Sequence, residues 1–182
     1  MTTKLKDSGI YPVGIGYKAQ QGKDSFAKAI QLNDPSAIAI YSFSRDVLFP
    51  VARWLSLMGQ EKEPETLQHL AQTWISVDPG HIIQCLEYCI LDEPAPIVIV
   101  PGIREYHQLE WIKSNGGMMI ELKRVYPDGT QFAASDRNLN HPSETQLDNY
   151  AFDYTITIPD GDLEQLQEDA NGVYKLIRQR FE

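Results

Sequence analysis

The sequence predicts an α/β fold, a three-layer sandwich in which a mostly parallel five-stranded sheet lies between helices. Three observations predict it. Short, β-branched apolar runs alternate with helical ones along the chain, the pattern that gives a parallel sheet covered on both faces. The run PIVIV (96–100) is apolar without a break, as a strand buried on both faces must be. At 182 residues and 42% hydrophobic content the chain is long enough to bury an ordinary core as one domain, 1–182.

The elements follow in order. Residues 10–15 (IYPVGI) read as a short buried strand, then a glycine-bounded loop, then the helix DSFAKAIQL. AIAIYSF (37–43) is a second strand, flanked by Pro35 and Ser44. From 46 to 90 the pattern is helical, and Pro50, Gly59, Pro64 and the Pro79-Gly80 pair divide it into three helices. PIVIV is expected at the centre of the sheet. REYHQLEWIKSNGG is amphipathic, with Leu109 and Ile112 inward and Gly116 as its stop. MMIELK (118–123) is the fourth strand. Residues 124–150 are polar and turn-rich, too long for a plain connection. TITIP (155–159) alternates as a fifth strand, and the chain closes with a helix over DLEQLQEDANGVYKLIRQRF. The helical excursion and the polar one both leave the sheet at the carboxyl ends of strands, where such folds bind ligands. Cys85 and Cys89, four apart on one helix face, read as small buried hydrophobes in a reducing interior rather than a disulfide framework or a zinc site.

Charge sets the exclusions. Sixteen Lys+Arg against 25 Asp+Glu give a net charge of −9, which argues against gripping nucleic acid through many phosphates or resting on an anionic membrane. No segment has the length and composition of a membrane span or a signal peptide, so a soluble cytoplasmic protein is expected. Between Asn138 and Tyr174 stand eight acids and no Lys or Arg. The expectation is an acidic, solvated C-terminal face beside a locally basic pocket.

The chemistry-bearing segment is GYKAQQGKDSFA (16–27). A strand, a glycine-bounded turn, a lysine and a helix make the layout of a phosphate-binding P-loop. Backbone N–H groups of such a turn face phosphate oxygens, Lys23 supplies a point charge, and the helix dipole adds to both. Five residues separate Gly16 from Gly22, one more than the common spacing, and Asp24 follows the lysine. Asp24 and Ser25 are the candidate ligands for Mg²⁺.

GYKAQQGKDSFA resembles the variant P-loop of bacteriophage deoxynucleoside monophosphate kinases, marked by GKD[ST]. AIAIYSFS resembles that family's second strand, and TLQHLAQTW its L-L-Q-x-L-G-T segment. IVIVPGIREYHQLEWIKSNGGMMIELKR resembles its third strand, arginine helix and fourth strand. HPSETQLDNYAFDYTI is similar to its H-x-[ST]-E lid and following strand, and PDGDLEQLQ to its closing turn. The resemblance implies a P-loop, NMP-kinase-like fold that moves the γ-phosphoryl group of ATP to a dNMP with Mg²⁺. It also implies roles. Gly16, Lys18, Gln21, Gly22, Lys23, Asp24, Ser25 and Arg124 would hold ATP, with Lys23, Arg104 and Arg137 at the transfer. Residues 44–90 would be the monophosphate-binding insert, with Arg45 and Arg53 on phosphate and Gln68 on the base. Residues 124–150 would be the lid, with His141, Ser143 and Glu144 fixing its closed shape. Small-molecule nucleotides are the implied partners, and the exposed insert helices leave room for a homodimer.

The chain departs from that pattern at three acids. Gly102 stands where the family has Asp after the third strand, Gln108 where it has Glu, and Arg45 where it has an acid after the second strand, with Asp46 one residue later. These losses keep a second expectation open, a relative that senses or sequesters nucleotides without efficient transfer. A third is another small-molecule kinase on the same scaffold.

Overall fold

A computed structural model describes residues 5–61, 63–134 and 139–181. Its five strands are β1 (Tyr11–Gly16), β2 (Ile38–Ile40), β3 (Ile97–Ile103), β4 (Met118–Val125) and β5 (Tyr154–Pro159). All pair in parallel, in the order β2-β3-β1-β4-β5. The middle strand is therefore β1, not PIVIV. β3 is internal too, which satisfies the same unbroken apolar pattern one place to the side. β2 is also shorter than expected: after Ile40 the chain leaves the sheet, and Phe43–Leu48 coils as a π-helical turn leading into α2 (Phe49–Trp54). Ser42 caps that turn by accepting from the Arg45 N–H, so YSF belongs to a helix start rather than to a strand.

The alternation of side chains sorts the core. Val13, Ile15, Ile97, Ile99, Met118, Ile120 and Leu122 face α1 (Lys23–Gln31) and the C-terminal helix, both of which pack on that side. Val98, Val100, Ile103 and Met119 face the opposite side, against α4 (Pro79–Asp92) and α5 (Tyr106–Ser114). Gly14 lets Met119 of the neighbouring strand and Ile112 of α5 close over β1, since a Cβ there would press on both side chains.

The excursion after β2 is mainly helical, with turns after α2, and with α3 (Pro64–Val77) preceding α4. Proline opens both, at the first turn, where its missing N–H costs no hydrogen bond. Cys85 and Cys89 are half-buried on α4, and burial pushes both thiols up, consistent with inert packing. In the polar excursion, β4 runs on to Val125, a turn follows, and Gln131 bridges back to Val125. A four-residue α6 (Pro142–Thr145) precedes β5, and α7 (Leu163–Phe181) closes the chain. No helix among the described residues is long and apolar enough to cross a membrane.

Candidate functional site

The order of strands places the site. β1 lies between β3 and β4; it is followed by α1 on one face, while β3 connects to β4 through α5 on the other, so a crevice opens beyond the carboxyl end of β1. Into it run the loop 17–22 from β1, Arg104 from the end of β3 and Arg124 from the end of β4.

Loop geometry depends on one glycine. Gly22 has φ +85° and precedes the first residue of α1, and its carbonyl accepts from the Phe26 N–H at 2.9 Å. Most side chains resist that left-handed backbone. Lys23 follows at once, 7% exposed, and its ammonium donates to the Lys18 carbonyl across the loop. Gln21 is 3% exposed and works as a fixed bracket. Its amide nitrogen donates to the carbonyls of Ala19 (3.2 Å) and Phe132 (2.8 Å), and its oxygen accepts from the Arg124 N–H (2.7 Å). The Arg124 guanidinium lies 4.1 Å from the centre of the Phe132 ring, pairs with Asp160 and donates to the Gln20 carbonyl.

The Ala19 N–H points inward, and what it meets is Glu144. One carboxylate oxygen of Glu144 accepts that N–H at 2.8 Å; the other is paired with the Arg104 guanidinium. Glu144 is 2% exposed. Four residues on, Asp148 accepts from the Tyr17 hydroxyl at 2.6 Å and lies 3.1 Å from the Lys18 ammonium. Burial raises the Tyr17 phenol, and the neighbouring Asp148 raises it further. Burial also pulls Asp148 upward, but the bonds from Tyr17 and Lys18 outweigh it and hold the carboxyl below its ordinary range. A cavity of about 180 Å³ remains between Lys18, Ala19, Gln21, Phe132, Ala134 and Glu144.

The segment around α6 also touches the helical excursion. Gln68 donates to the Ser143 hydroxyl at 3.3 Å, and Gln72 lies 2.6 Å from His141 Nε2. The other ring nitrogen of His141 meets Ser143 at 2.9 Å. Gln108 takes the place of an acid but keeps a structural task, accepting from the Arg104 N–H at 2.9 Å and so fixing where the arginine emerges.

The structure brings Gly16, Lys18, Gln21, Gly22, Lys23, Arg104, Arg124 and Glu144 to one crevice, with His141 and Gln68 on its α3 side. Asp24 and Ser25 are exposed on the first turn of α1. Arg45 and Arg53 stay on the helical excursion. Arg45 is paired with Asp46 and donates to the Ile40 carbonyl; Arg53 lies 5.8 Å from the Phe49 ring centre. Arg137 lies outside the described residues. Sequence reasoning missed Tyr17 and Asp148, although the four-residue spacing from Glu144 to Asp148 is a signal that the two acids can act together.

The charge expectation needs correcting. Composition assigns Glu144, Asp148, Asp153 and Asp160 to a solvated acidic face; the last three are exposed as expected, but Glu144 is buried, and each of the four is paired with a cation: Arg104, Lys18, Lys113 and Arg124. One of them, Glu144, reaches into the pocket itself, and Asp148 holds the pocket's Lys18 from outside. The pocket is therefore close to charge-balanced, because long-range pairing brings acids of the C-terminal half to cations of the loop and strand ends.

No protein-family model matches the sequence, and no curated protein matches it. Among solved structures, the chain is similar to shikimate kinase from Acinetobacter baumannii in complex with shikimate, at 12% identity and a TM-score of 0.50, over 93% of this chain and 94% of that one. Two weaker likenesses are shikimate kinase from Aquifex aeolicus (12% identity, TM-score 0.48, 92% and 99% covered) and a tunicamycin resistance protein from Deinococcus radiodurans (13%, 0.45, 92% and 95%). What the likeness to the Acinetobacter baumannii kinase shows is a shared fold: a parallel five-stranded sheet with helices on both faces and a glycine-bounded loop after its first strand.

Proposed function

We propose that this chain is a P-loop kinase acting on a nucleotide acceptor, transferring the γ-phosphoryl group of ATP to a deoxynucleoside monophosphate to give dNDP and ADP. The observation that carries the reading is the meeting of an inward loop amide (Ala19), a buried lysine at a helix start (Lys23) and an arginine from the neighbouring strand (Arg104). Phosphoryl transfer needs little covalent chemistry from a protein. It needs in-line positioning and neutralised charge on the moving group.

In this reading the loop amides and Lys23 hold the donor phosphates, with Gly16, Lys18, Gly22 and Arg124 shaping their seat. An acceptor phosphate oxygen bonds to the γ-phosphorus as the bond to the β–γ bridging oxygen breaks, and the electron pair leaves on ADP. Arg104, at the end of β3, lies between donor and acceptor and offsets charge on the transferred group, with Arg137 as a second cation. Residues 44–90 serve as the monophosphate-binding insert, carrying Arg45, Arg53 and Gln68. Residues 124–150 serve as the lid, whose His141 and Glu144 line the acceptor side. The protein works in the cytoplasm on small nucleotides rather than on nucleic acid.

Mg²⁺ is compatible with the residues present. No group of three or more His, Cys, Asp or Glu forms a metal cage among the described residues. This ion takes most of its ligands from phosphate oxygens and water, so one carboxylate (Asp24) and one hydroxyl (Ser25), both exposed beside Lys23, are a sufficient donor set. When bound, the ion supplies positive charge to the β- and γ-oxygens.

One observation favours a second reading, a relative that holds nucleotides without efficient transfer. Asp46, the acid nearest to the missing position after β2, has both oxygens engaged, by Arg45 and by the Ser42 N–H at 2.6 Å. Gly102 offers no ligand either. An ADP-release assay with Mg·ATP and each dNMP separates the readings. Turnover with at least one dNMP, falling about 10²–10³-fold in Lys23→Ala, is the expected result. Nucleotide binding without turnover on any dNMP sinks the kinase in favour of the second reading.

A further inference from the structure

Glu144 occupies the place that the preceding reading gives to phosphate. A carboxylate and a phosphate oxygen make the same kind of charge-assisted bond to a backbone N–H and to a guanidinium. Here one carboxylate takes both donors: the Ala19 N–H at 2.8 Å and the Arg104 side chain, at 2% exposure. Asp148 does the same one step along, holding the Lys18 ammonium at 3.1 Å and the Tyr17 hydroxyl at 2.6 Å. With Glu144 in place the adjoining cavity is about 180 Å³, below the roughly 300–1,000 Å³ of sites for drug-sized ligands. A phosphate group and the Glu144 carboxylate compete for the same two donors, and like charge sets a polyphosphate on the loop against Asp148 as well.

We infer that Glu144 and Asp148 are internal phosphate mimics that keep the loop closed, and that a nucleotide polyphosphate enters by displacing them. The inference rests on the reading of this loop as a nucleotide site and adds regulation of that site. Apparent affinity then equals the intrinsic affinity reduced by the fraction of molecules whose loop is open. The same segment bears Ser143 and His141, which Gln68 and Gln72 of α3 engage. Displacement of Glu144 therefore loosens the seam against α3, so that arrival of the donor frees the side on which the acceptor binds.

The test is equilibrium binding of Mg·ATP, Mg·ADP and inorganic pyrophosphate to the full chain by titration calorimetry. It compares wild type, Glu144→Gln and Asp148→Asn, with thermal unfolding of each protein in the presence and absence of nucleotide. Glu144→Gln is expected to bind Mg·ATP about tenfold more tightly while its ligand-free unfolding temperature falls. Asp148→Asn, altered at a half-exposed contact, is expected to gain about two- to threefold. Pyrophosphate follows the same order, because the competition is for the phosphate seat and not for the base. If Glu144→Gln does not fold, the Asp148→Asn gain alone decides. Wild-type binding that is unchanged or weakened in the variants overturns the internal-mimic inference and leaves the nucleotide reading standing. Absence of binding by wild type and both variants overturns the nucleotide reading and this inference with it.

Discussion

The face of the sheet under α1 and α7 and the crevice at the end of β1 are built by opposite rules. Under the helices, Val13, Ile15, Ile30, Ile99 and Ile177 are buried among one another with no polar partner to satisfy. At the crevice the buried groups are Gln21, Lys23 and Glu144, each held by named bonds. The first region is stabilised by area and fit and tolerates exchange of one apolar shape for another. The second is stable only while its donors and acceptors are matched, and the same matching makes it able to exchange one anion for another. The chain keeps its rigid apolar face away from its exchangeable polar edge, with β1 belonging to both.

The largest expected effect separates the two. Ile30→Ala, at a fully buried position of α1, is expected to cost about 3–4 kcal/mol of stability in urea unfolding. Nucleotide affinity at a temperature where the variant is folded is expected to stay within about twofold of wild type. A large loss of affinity in the folded variant breaks the separation, showing that packing under α1 sets the loop.

Gln21→Leu tests the crevice by the same measure. The side chain keeps its bulk, but the Phe132 and Ala19 carbonyls and the Arg124 N–H lose their partner. The expected cost is about 2 kcal/mol, from polar groups left unmet rather than from area. A neutral result means that water replaces the bracket and that the crevice is softer than its burial implies.

This division also explains what was legible in the sequence. The apolar face is legible element by element, since short unbroken apolar runs such as IYPVGI and MMIELK, and helical ones such as KAIQL, carry their environment in their own pattern. The glycine-lysine loop was legible for the same reason: its residues are neighbours in the chain. The errors fall where local pattern and long-range context disagree. YSF looks like strand but starts a helix because Ser42 caps it. PIVIV looks central because any internal parallel strand does. The partners of the crevice were not legible, because their bonds span the chain: Ala19 with Glu144 is 125 residues apart, Gln21 with Phe132 is 111 and Gln21 with Arg124 is 103. Composition placed the acids between Asn138 and Tyr174 on a solvated face, and only the tertiary pairing shows Glu144 inside the pocket and Asp148 on its Lys18.

The smallest effect is the sharpest test of how the crevice is held. Asp148 is depressed below its ordinary value of 3.8 in the folded chain. A carboxyl depressed by folding adds stability that is fully present above the unfolded pKa and is lost as pH falls through the folded one. Its side chain is 41% exposed, so solvent screening limits the contribution to about 0.5 kcal/mol. Wild type is therefore expected to exceed Asp148→Asn in stability by that amount near pH 7, with the gap closing as pH drops below 3.8. Asp34, Asp128 and Asp153 are depressed as well and titrate in both proteins, so the difference between the two curves isolates Asp148. A gap that stays constant down to about pH 2.5, well below the unfolded pKa, means that the Asp148→Asn variant loses shape rather than charge. The hold of Asp148 on Tyr17 and Lys18 is then not electrostatic, and a phosphate has no charge-based reason to take its place.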